Sequence, residues 1–193
     1  METEEKKLSL EQLETELKRV KHQSRFHQLL RSTIYTLLVV AACAVLVAVI
    51  FLPVLRIYGS SMSPTLQEGD IVVSVKGTET RAGDIVGVYY GSKLLIKRYI
   101  AGPGQWVNID GEGNVYVDDI LLEEPYLEEK AFGETNIELP YQVPDNSIFV
   151  MGDKRATSID SRNTSVGCID KEDIVGKIVF RVWPLGRFGA VNK

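Results

Sequence analysis

The sequence contains few of the side chains on which metal sites and many hydrolase centres depend. Only two cysteines and two histidines occur among its 193 residues. Cys43 lies in an apolar run and Cys168 far beyond it, so we expect no disulfide between them, and no Cys-x-x-Cys metal site exists. His22 and His27 both precede the apolar run. The rest of the chain therefore lacks a Ser-His-Asp triad and a histidine-based zinc site.

Several other signatures are also missing. The sequence has no internal repeat, no P-loop and no dinucleotide-binding fingerprint. Its formal net charge of −4 argues against nucleic-acid binding. The length fits one moderate domain with additions, at the usual ~100 to 200 residues per domain.

A long apolar segment follows a charged N-terminal segment. Residues 32–55 carry no charge and lie between Arg31 and Arg56. As a helix they would span ~36 Å, enough for a hydrocarbon core of ~30 Å, so we predict a transmembrane helix. A cleaved signal peptide is the alternative, but its apolar region is usually ~7 to 15 residues long. Residues 1–31, with leucines spaced by three and four, predict an amphipathic helix.

Charge asymmetry around the apolar segment predicts its orientation. The upstream flank carries Lys18, Arg19, Lys21, Arg25 and Arg31, whereas the downstream flank has Arg56 alone. Basic residues flanking a membrane span favour the cytoplasmic side. We therefore predict a single-pass protein of the cell membrane, with residues 1–31 in the cytoplasm and residues 56–193 outside.

The remainder of the chain predicts a mainly β domain. Short β-branched or aromatic runs alternate with turn residues, which is typical of barrels or paired sheets. The predicted strands are 71–75, 84–90, 93–101, 105–109, 115–122, 147–151 and 176–182. Gly91-Ser92 and residues 110–114 predict hairpin turns. Residues 123–146 are acidic and predict an excursion on the surface. Trp183 and Phe188 are candidates for the membrane interface or the core.

Three stretches carry side chains suited to covalent catalysis. They are GSSMSPTL at 59–66, LLIKRYIAGPG at 94–104 and MGDKRATSIDSR at 151–162. A serine needs a neighbouring base to act as a nucleophile, and without a histidine this base must be Lys, Asp or Glu. Lys97 has apolar neighbours, and burial lowers the pKa of a lysine. Lys97 is therefore the strongest candidate for the base.

Together the three stretches resemble the boxes of type I signal peptidases, in this order and over roughly residues 30–190. The resemblance implies the β-rich signal-peptidase fold, Ser61 as nucleophile and Lys97 as general base, without a metal or organic cofactor. It further implies an endopeptidase that removes signal peptides from exported preproteins after Ala-x-Ala sites. The expected partners are these signal peptides, membrane lipid and the export machinery.

The resemblance also implies supporting roles and a substrate pocket. Ser158 would hydrogen-bond the amine of Lys97, Asp160 would pair with Arg162, and Asp153 would pair with Arg98. The pockets for substrate residues −1 and −3 would be lined by Ile57, Met62, Leu66, Val72, Leu95 and Ile96.

One departure and two alternative functions remain open. The backbone N–H of Ser61 would stabilise the oxyanion, but Gly59 stands where other members carry a second donor hydroxyl, and Ser60 or water would have to replace it. The first alternative is a related Ser/Lys protease with another substrate, such as a self-cleaving repressor-like peptidase. The second is a membrane-tethered binding module without catalysis.

Overall fold

A computed structural model describes residues 10–191. The chain falls into two compact units, with the boundary in the sequence between Val49 and Ile50. The first is part of one continuous helix, α1, Leu10–Phe51. The predicted amphipathic and transmembrane segments therefore belong to the same helix, although residues 1–9 lie outside the described part. Within it, His27–Phe51 is long and apolar enough to cross a membrane.

The helix ends earlier than the sequence predicts. It stops at Phe51, and the first strand, Val54–Arg56, begins after Pro53. Proline lacks a backbone N–H and disfavours the helical conformation of the residue before it. The predicted helix boundary at Leu55, which was based on the lack of charge, is therefore wrong. Val54 and Leu55 are strand residues that pair with Val73 and Val72.

The second unit consists of two antiparallel sheets, which confirms the predicted mainly β class. The larger sheet has the order β1-β2-β11-β3-β4-β9-β10, with β12 paired to β11. Its strands are β1 Val54–Arg56, β2 Ile71–Val75, β3 Ile85–Tyr90, β4 Lys93–Ala101, β9 Ser147–Met151, β10 Ile169–Asp170, β11 Ile174–Trp183 and β12 Gly189–Ala190. The smaller sheet, in the order β7-β6-β5-β8, comprises β5 Trp106–Ile109, β6 Val115–Val117, β7 Ile120–Leu121 and β8 Tyr141–Gln142. Short 3-10 helices span Lys171–Asp173 and Leu185–Arg187.

One predicted strand is in fact a hairpin. Residues 115–122 were predicted to form a single strand, but β6 and β7 are separated by Asp118 and Asp119, with φ values of 51° and 65°. Two consecutive residues with positive φ form a tight hairpin turn, and aspartate tolerates this conformation better than most residues. An alternation of apolar residues does not reveal such a turn.

Apolar side chains from both sheets form the core of the β unit. One cluster joins the segment after β1 to the larger sheet and consists of Ile57, Met62, Leu66, Val72, Ile85 and Ile178. A second lies along β3, β4 and β9 and includes Val86, Val88, Tyr99, Ile148 and Val150. A third packs the smaller sheet against Ile100, Phe149 and Met151. The segment after β1 and strand β4 therefore both pack on this core.

The acidic segment 123–146 is not simply a surface excursion. Glu124 is only 7% exposed and forms a fully buried ion pair with Arg155. Tyr126 donates a hydrogen bond to Glu124, and its ring centroid lies 3.6 Å from Cζ of Arg98. The prediction was wrong here because charge alone does not reveal a distant arginine that pairs with one of several glutamates.

Two aromatic residues near the C-terminus are exposed rather than buried in the core. Trp183 is 52% exposed and Phe188 is 59% exposed, and Leu185 between them is also exposed. Phe188 packs edge-on against Phe180, with ring centroids 4.9 Å apart. Contact of this surface with the membrane interface stays a prediction.

We expect Glu124→Gln to lower the free energy of unfolding by about 3 kcal/mol, because it leaves the buried guanidinium of Arg155 without a charge partner. Urea unfolding of the whole chain in detergent micelles, followed by tryptophan fluorescence, measures this change. Glu123→Gln is the matched control, since Glu123 is exposed, and should have little effect. Equal stability of the two variants would contradict the structural role of Glu124.

Candidate active site

Ser61 lies in a series of turns between β1 and β2. Ser63 N–H donates to the carbonyl of Ser60 at 3.0 Å, and Leu66 N–H to that of Met62 at 2.8 Å. Met62 and Leu66 are buried in the core and thereby fix both ends of this turn. Ser61 itself is only half-buried. Its neighbours are therefore immobilised while it stays accessible.

Lys97 lies in the middle of β4 and is only 4% exposed. Its Nζ donates a hydrogen bond to Oγ of the buried Ser158 at 2.8 Å. Burial lowers the pKa of Lys97, and the nearby charge of Arg162 acts in the same direction, whereas Asp160 and Asp153 oppose it. The lysine amine is thus poised to be neutral at a lower pH than an exposed lysine.

The third stretch forms a buried loop around Asp160. This carboxylate accepts hydrogen bonds from both Nε and Nη2 of Arg162 at 2.9 Å, and from Gly152 N–H at 2.9 Å. Burial opposes ionisation of Asp160, but the hydrogen bonds and charge of Arg162 outweigh it, so its pKa is lowered. Arg162 also donates to the carbonyls of Arg155 and Phe132. These bonds fix the loop that carries Ser158.

A second buried ion pair connects the serine turn to the lysine strand. Arg98, the neighbour of Lys97, donates to Asp153 through Nε at 2.8 Å and Nη2 at 2.6 Å. The hydroxyl of Thr65, four residues after Ser61, also donates to Asp153. All three stretches therefore meet at one carboxylate.

Gly152 lets the serine turn and the Ser158 loop approach closely. A Cβ at this position would lie 2.2 Å from Oγ of Ser158 and 2.6 Å from the carbonyl oxygen of Ser61. Both distances are far below van der Waals contact. Lys154 N–H donates to the same carbonyl of Ser61 at 2.9 Å. Glycine is thus required where Ser61 and the partner of Lys97 come together.

Ser61 and Lys97 line one cleft of about 620 Å³. Of the predicted pocket residues, Ile57, Met62, Leu95 and Ile96 line this cleft. Leu66 and Val72 do not: they are fully buried in the cluster behind it. Both share this cluster with Ile57 and Met62, which do line the cleft, so a role of Leu66 and Val72 in the pocket stays a prediction. Apolar character alone does not distinguish a cleft wall from the core behind it.

Sequence reasoning missed several residues of the same cleft. Val54, Leu55 and Arg56 line it from β1, and Tyr58 follows them. The first two were missed because they had been placed in the transmembrane helix, although Pro53 was a signal for its end. Lys93 and Leu94 line the opposite wall, from the first residues of β4.

Gly59 has a positive φ of 77°, and a Cβ there would meet no atom within 4 Å. The backbone conformation, not lack of space, therefore favours glycine at this position. A serine at position 59 would therefore come at a conformational cost. Ser60 is exposed beside Ser61.

The cleft combines the hydroxyl of Ser61 and the amine of Lys97 with apolar walls and with the polar side chains of Arg56, Tyr58 and Lys93. Within residues 10–191, no group of three or more His, Cys, Asp and Glu side chains is arranged to hold a metal ion. A half-buried serine in the same cleft as a buried lysine suits nucleophilic attack on a carbonyl, with the amine accepting the hydroxyl proton.

Comparison with known proteins identifies a family to which the sequence is similar. Residues 30–183 match the family described as signal peptidase, peptidase S26. Signal peptidase I U of Bacillus subtilis is 30% identical over 165 residues, covering 79% of this chain and 87% of that protein. The probable signal peptidase I-1 of a Synechocystis strain is 34% identical over 181 residues, covering 86% and 88%.

A crystal structure of a signal peptidase I from Enterococcus faecalis aligns with 52% of this chain and 97% of its own, at 22% identity and a TM-score of 0.45. The family match covers most of the sequence and includes all three stretches that form the site. The chain therefore belongs to the signal peptidase family, peptidase S26.

Proposed function

We propose that this type I signal peptidase cleaves preproteins with a catalytic dyad in which Ser61 is the nucleophile and Lys97 is the general base. The observation that carries the proposal is a lysine that is only 4% exposed, in the same cleft as an accessible serine. Burial of a lysine is costly to a fold, and a titratable group with a shifted pKa in a cleft is a candidate for catalysis. The coarser function, removal of signal peptides, follows from membership of the family.

The proposed reaction begins with a neutral Lys97. Its amine accepts the hydroxyl proton of Ser61 as Oγ attacks the scissile carbonyl, and the resulting ammonium then protonates the leaving amine. An acyl-enzyme forms, and Lys97 next removes a proton from a water molecule that attacks the ester. The bond to Oγ then breaks, and Lys97 returns the proton to Ser61 as the acid product leaves. The backbone N–H of Ser61 is the proposed donor to the oxyanion.

Ser158 is the proposed positioning residue for the base. A neutral lysine amine has two N–H bonds and one lone pair. The hydrogen bond to Oγ of Ser158, at 2.8 Å, uses one N–H and restricts rotation of the amine. Its lone pair is then free to accept the proton of Ser61. Asp160 and Arg162 support this arrangement by fixing the Ser158 loop.

The cleft suits an extended peptide. β1 is the edge strand of the larger sheet, and β9 pairs with β4 only from Arg98 onward. In the described sheet, the edge of residues 93–97 that faces away from β3 therefore has no strand partner. A peptide can bind such edges by main-chain hydrogen bonds, while alternate side chains enter pockets. We propose that Ile57, Met62, Leu95 and Ile96 accept small residues at −1 and −3, as in Ala-x-Ala sites.

The apolar helix and its flanking charges support a membrane location for this activity. We propose that residues before the span lie in the cytoplasm, that the β unit lies outside, and that the span contacts lipid. This orientation places the cleft on the side to which preproteins are exported, where signal peptides and the export machinery would be its partners.

Ser61→Ala should abolish cleavage of a preprotein with an Ala-x-Ala site, lowering kcat by ~10³ or more, because no other group replaces the nucleophile. Purified chain in detergent micelles, with electrophoresis and N-terminal sequencing of the product, measures this. Ser165→Ala, a change of an exposed serine outside the cleft, is the matched control and should retain most activity. Cleavage by the folded Ser61→Ala variant would refute the dyad and favour another protease mechanism. Binding without cleavage by the parent chain would favour a non-catalytic module.

Activity should fall as the pH drops through the lowered pKa of Lys97, because only the neutral amine can accept the proton of Ser61. The dependence of kcat/KM on pH should show an acidic limb controlled by one group. Lys97→Arg should be inactive at every ordinary pH, since a guanidinium does not deprotonate. Lys154→Arg changes an exposed side chain and serves as the control. Near-parental activity of a folded Lys97→Arg variant would rule out Lys97 as the base.

Protease added to intact, wall-stripped cells should digest the β unit and spare the segment before the membrane span, because the basic flank favours the cytoplasm. Antibodies against a tag at each terminus identify the surviving fragment. Cells made permeable with detergent provide the control, in which both parts become accessible. Protection of the β unit in intact cells would reverse the proposed orientation.

A further inference from the structure

The cleft carries a local charge opposite to that of the whole chain. The chain has a formal net charge of −4, yet the described residues that line the cleft include Arg56, Lys93 and Lys97 and no carboxylate. Lys97 is buried, and burial lowers its pKa and favours the neutral amine. The side chains that keep a positive charge in the cleft are therefore those of Arg56 and Lys93. Both of these side chains are exposed.

Strand geometry relates the position of Lys93 to the scissile bond. Lys93 and Lys97 are four residues apart on β4, so they are ~13 Å apart along the strand. Side chains alternate between the two faces of a strand, so Lys93, Leu95 and Lys97 lie on the same face. Exposure decreases steadily from Lys93 to Lys97, as in a groove that deepens toward the catalytic end.

A bound peptide would follow the same spacing. If its residue −1 lies beside Lys97, an extended peptide that runs along β4 brings residue −5 beside Lys93, because both strands advance by ~3.3 Å per residue. Residues −1, −3 and −5 also share one face. Leu95 and Ile96, the proposed walls for residues −1 and −3, lie between Lys93 and Lys97 on β4. Residues before the scissile bond would therefore run from Lys97 toward Lys93.

The charge at this end of the cleft is not neutralised by the protein. In the described part of the chain, no carboxylate forms an ion pair with Lys93 or Arg56. Arg56 instead lies over the ring of Tyr58, with Cζ 5.7 Å from the ring centroid. Two exposed cations that line one cleft favour an acidic side chain in a peptide bound there and disfavour a basic one.

We infer that Lys93, supported by Arg56, forms a charge-selective subsite that prefers an acidic residue at substrate position −5. The inference rests on the proposed function, because it assumes that the peptide before the scissile bond occupies this cleft. The subsite recognises a carboxylate on an extended peptide, at a position separate from the small-residue pockets. Anionic lipid is the other class of ligand that two exposed cations attract, but the shared cleft with Ser61 favours the peptide.

The test uses three peptides that differ only at −5, with Glu, Gln or Lys before the same Ala-x-Ala site. For the parent chain in neutral detergent micelles, kcat/KM should fall in the order Glu, Gln, Lys, by about fivefold in total, as expected for an exposed charge pair. The preference should weaken as salt is raised. Lys93→Glu should reverse the order. Lys76→Glu, a change of an exposed lysine outside the cleft, should keep the parental order.

The outcomes separate this inference from the proposed function. If the ratio of kcat/KM for the Glu peptide to that for the Lys peptide is the same in the parent and in the Lys93→Glu variant, the subsite is overturned while the dyad stays intact. If Lys93→Glu lowers kcat/KM equally for all three peptides, and only in vesicles of anionic lipid, the subsite is overturned in favour of a lipid contact. If the parent cleaves none of the peptides, or Ser61→Ala cleaves them equally well, the proposed function fails, and the subsite with it.

Discussion

The structure depends on one constraint: the amine of Lys97 is buried, and the groups around it must not stabilise its charged form. Burial favours the neutral amine, but two carboxylates near Lys97, Asp160 and Asp153, act against it. Each of these carboxylates has its own arginine, Arg162 and Arg98 respectively, in a fully buried ion pair. Burial is the largest influence on the pKa of Lys97, and the guanidinium of Arg162 acts in the same direction. Arg162 thus favours the neutral form of the amine, and both arginines help to fix the shape of the site.

These ion pairs also explain how distant segments are brought together. Asp153 accepts bonds from the lysine strand through Arg98 and from the serine turn through Thr65. Arg155 and Arg162 in turn hold the acidic segment, through Glu124 and the carbonyl of Phe132. A buried ion pair is seldom a large net gain in stability, but breaking one is costly, so such a network selects one arrangement over others. We interpret the network as a device that fixes the geometry of the cleft.

Much of the architecture follows from local patterns. The strands at 71–75, 93–101 and 147–151 match their predicted bounds, because short runs rich in apolar, β-branched or aromatic residues between turn signals are a strong strand signal. The family resemblance is confirmed by the family match and by the relatives. Where the bounds of a helix or strand were wrong, the missing information was conformational. Pro53 ended the helix, and Asp118 and Asp119 turned one strand into two.

The sequence by itself determined the apolar helix, the β-rich unit, the family and the identity of Ser61 and Lys97 as candidates, because each of these rests on residue type and order along the chain. Only the tertiary structure decided which apolar residues face the cleft, as with Leu95, and which lie behind it, as with Leu66. It also decided that Glu124 is buried and that Lys93 and Arg56 share a groove with Ser61. The physical reason is that burial and pairing depend on contacts between segments far apart in sequence, and local composition carries no record of those contacts.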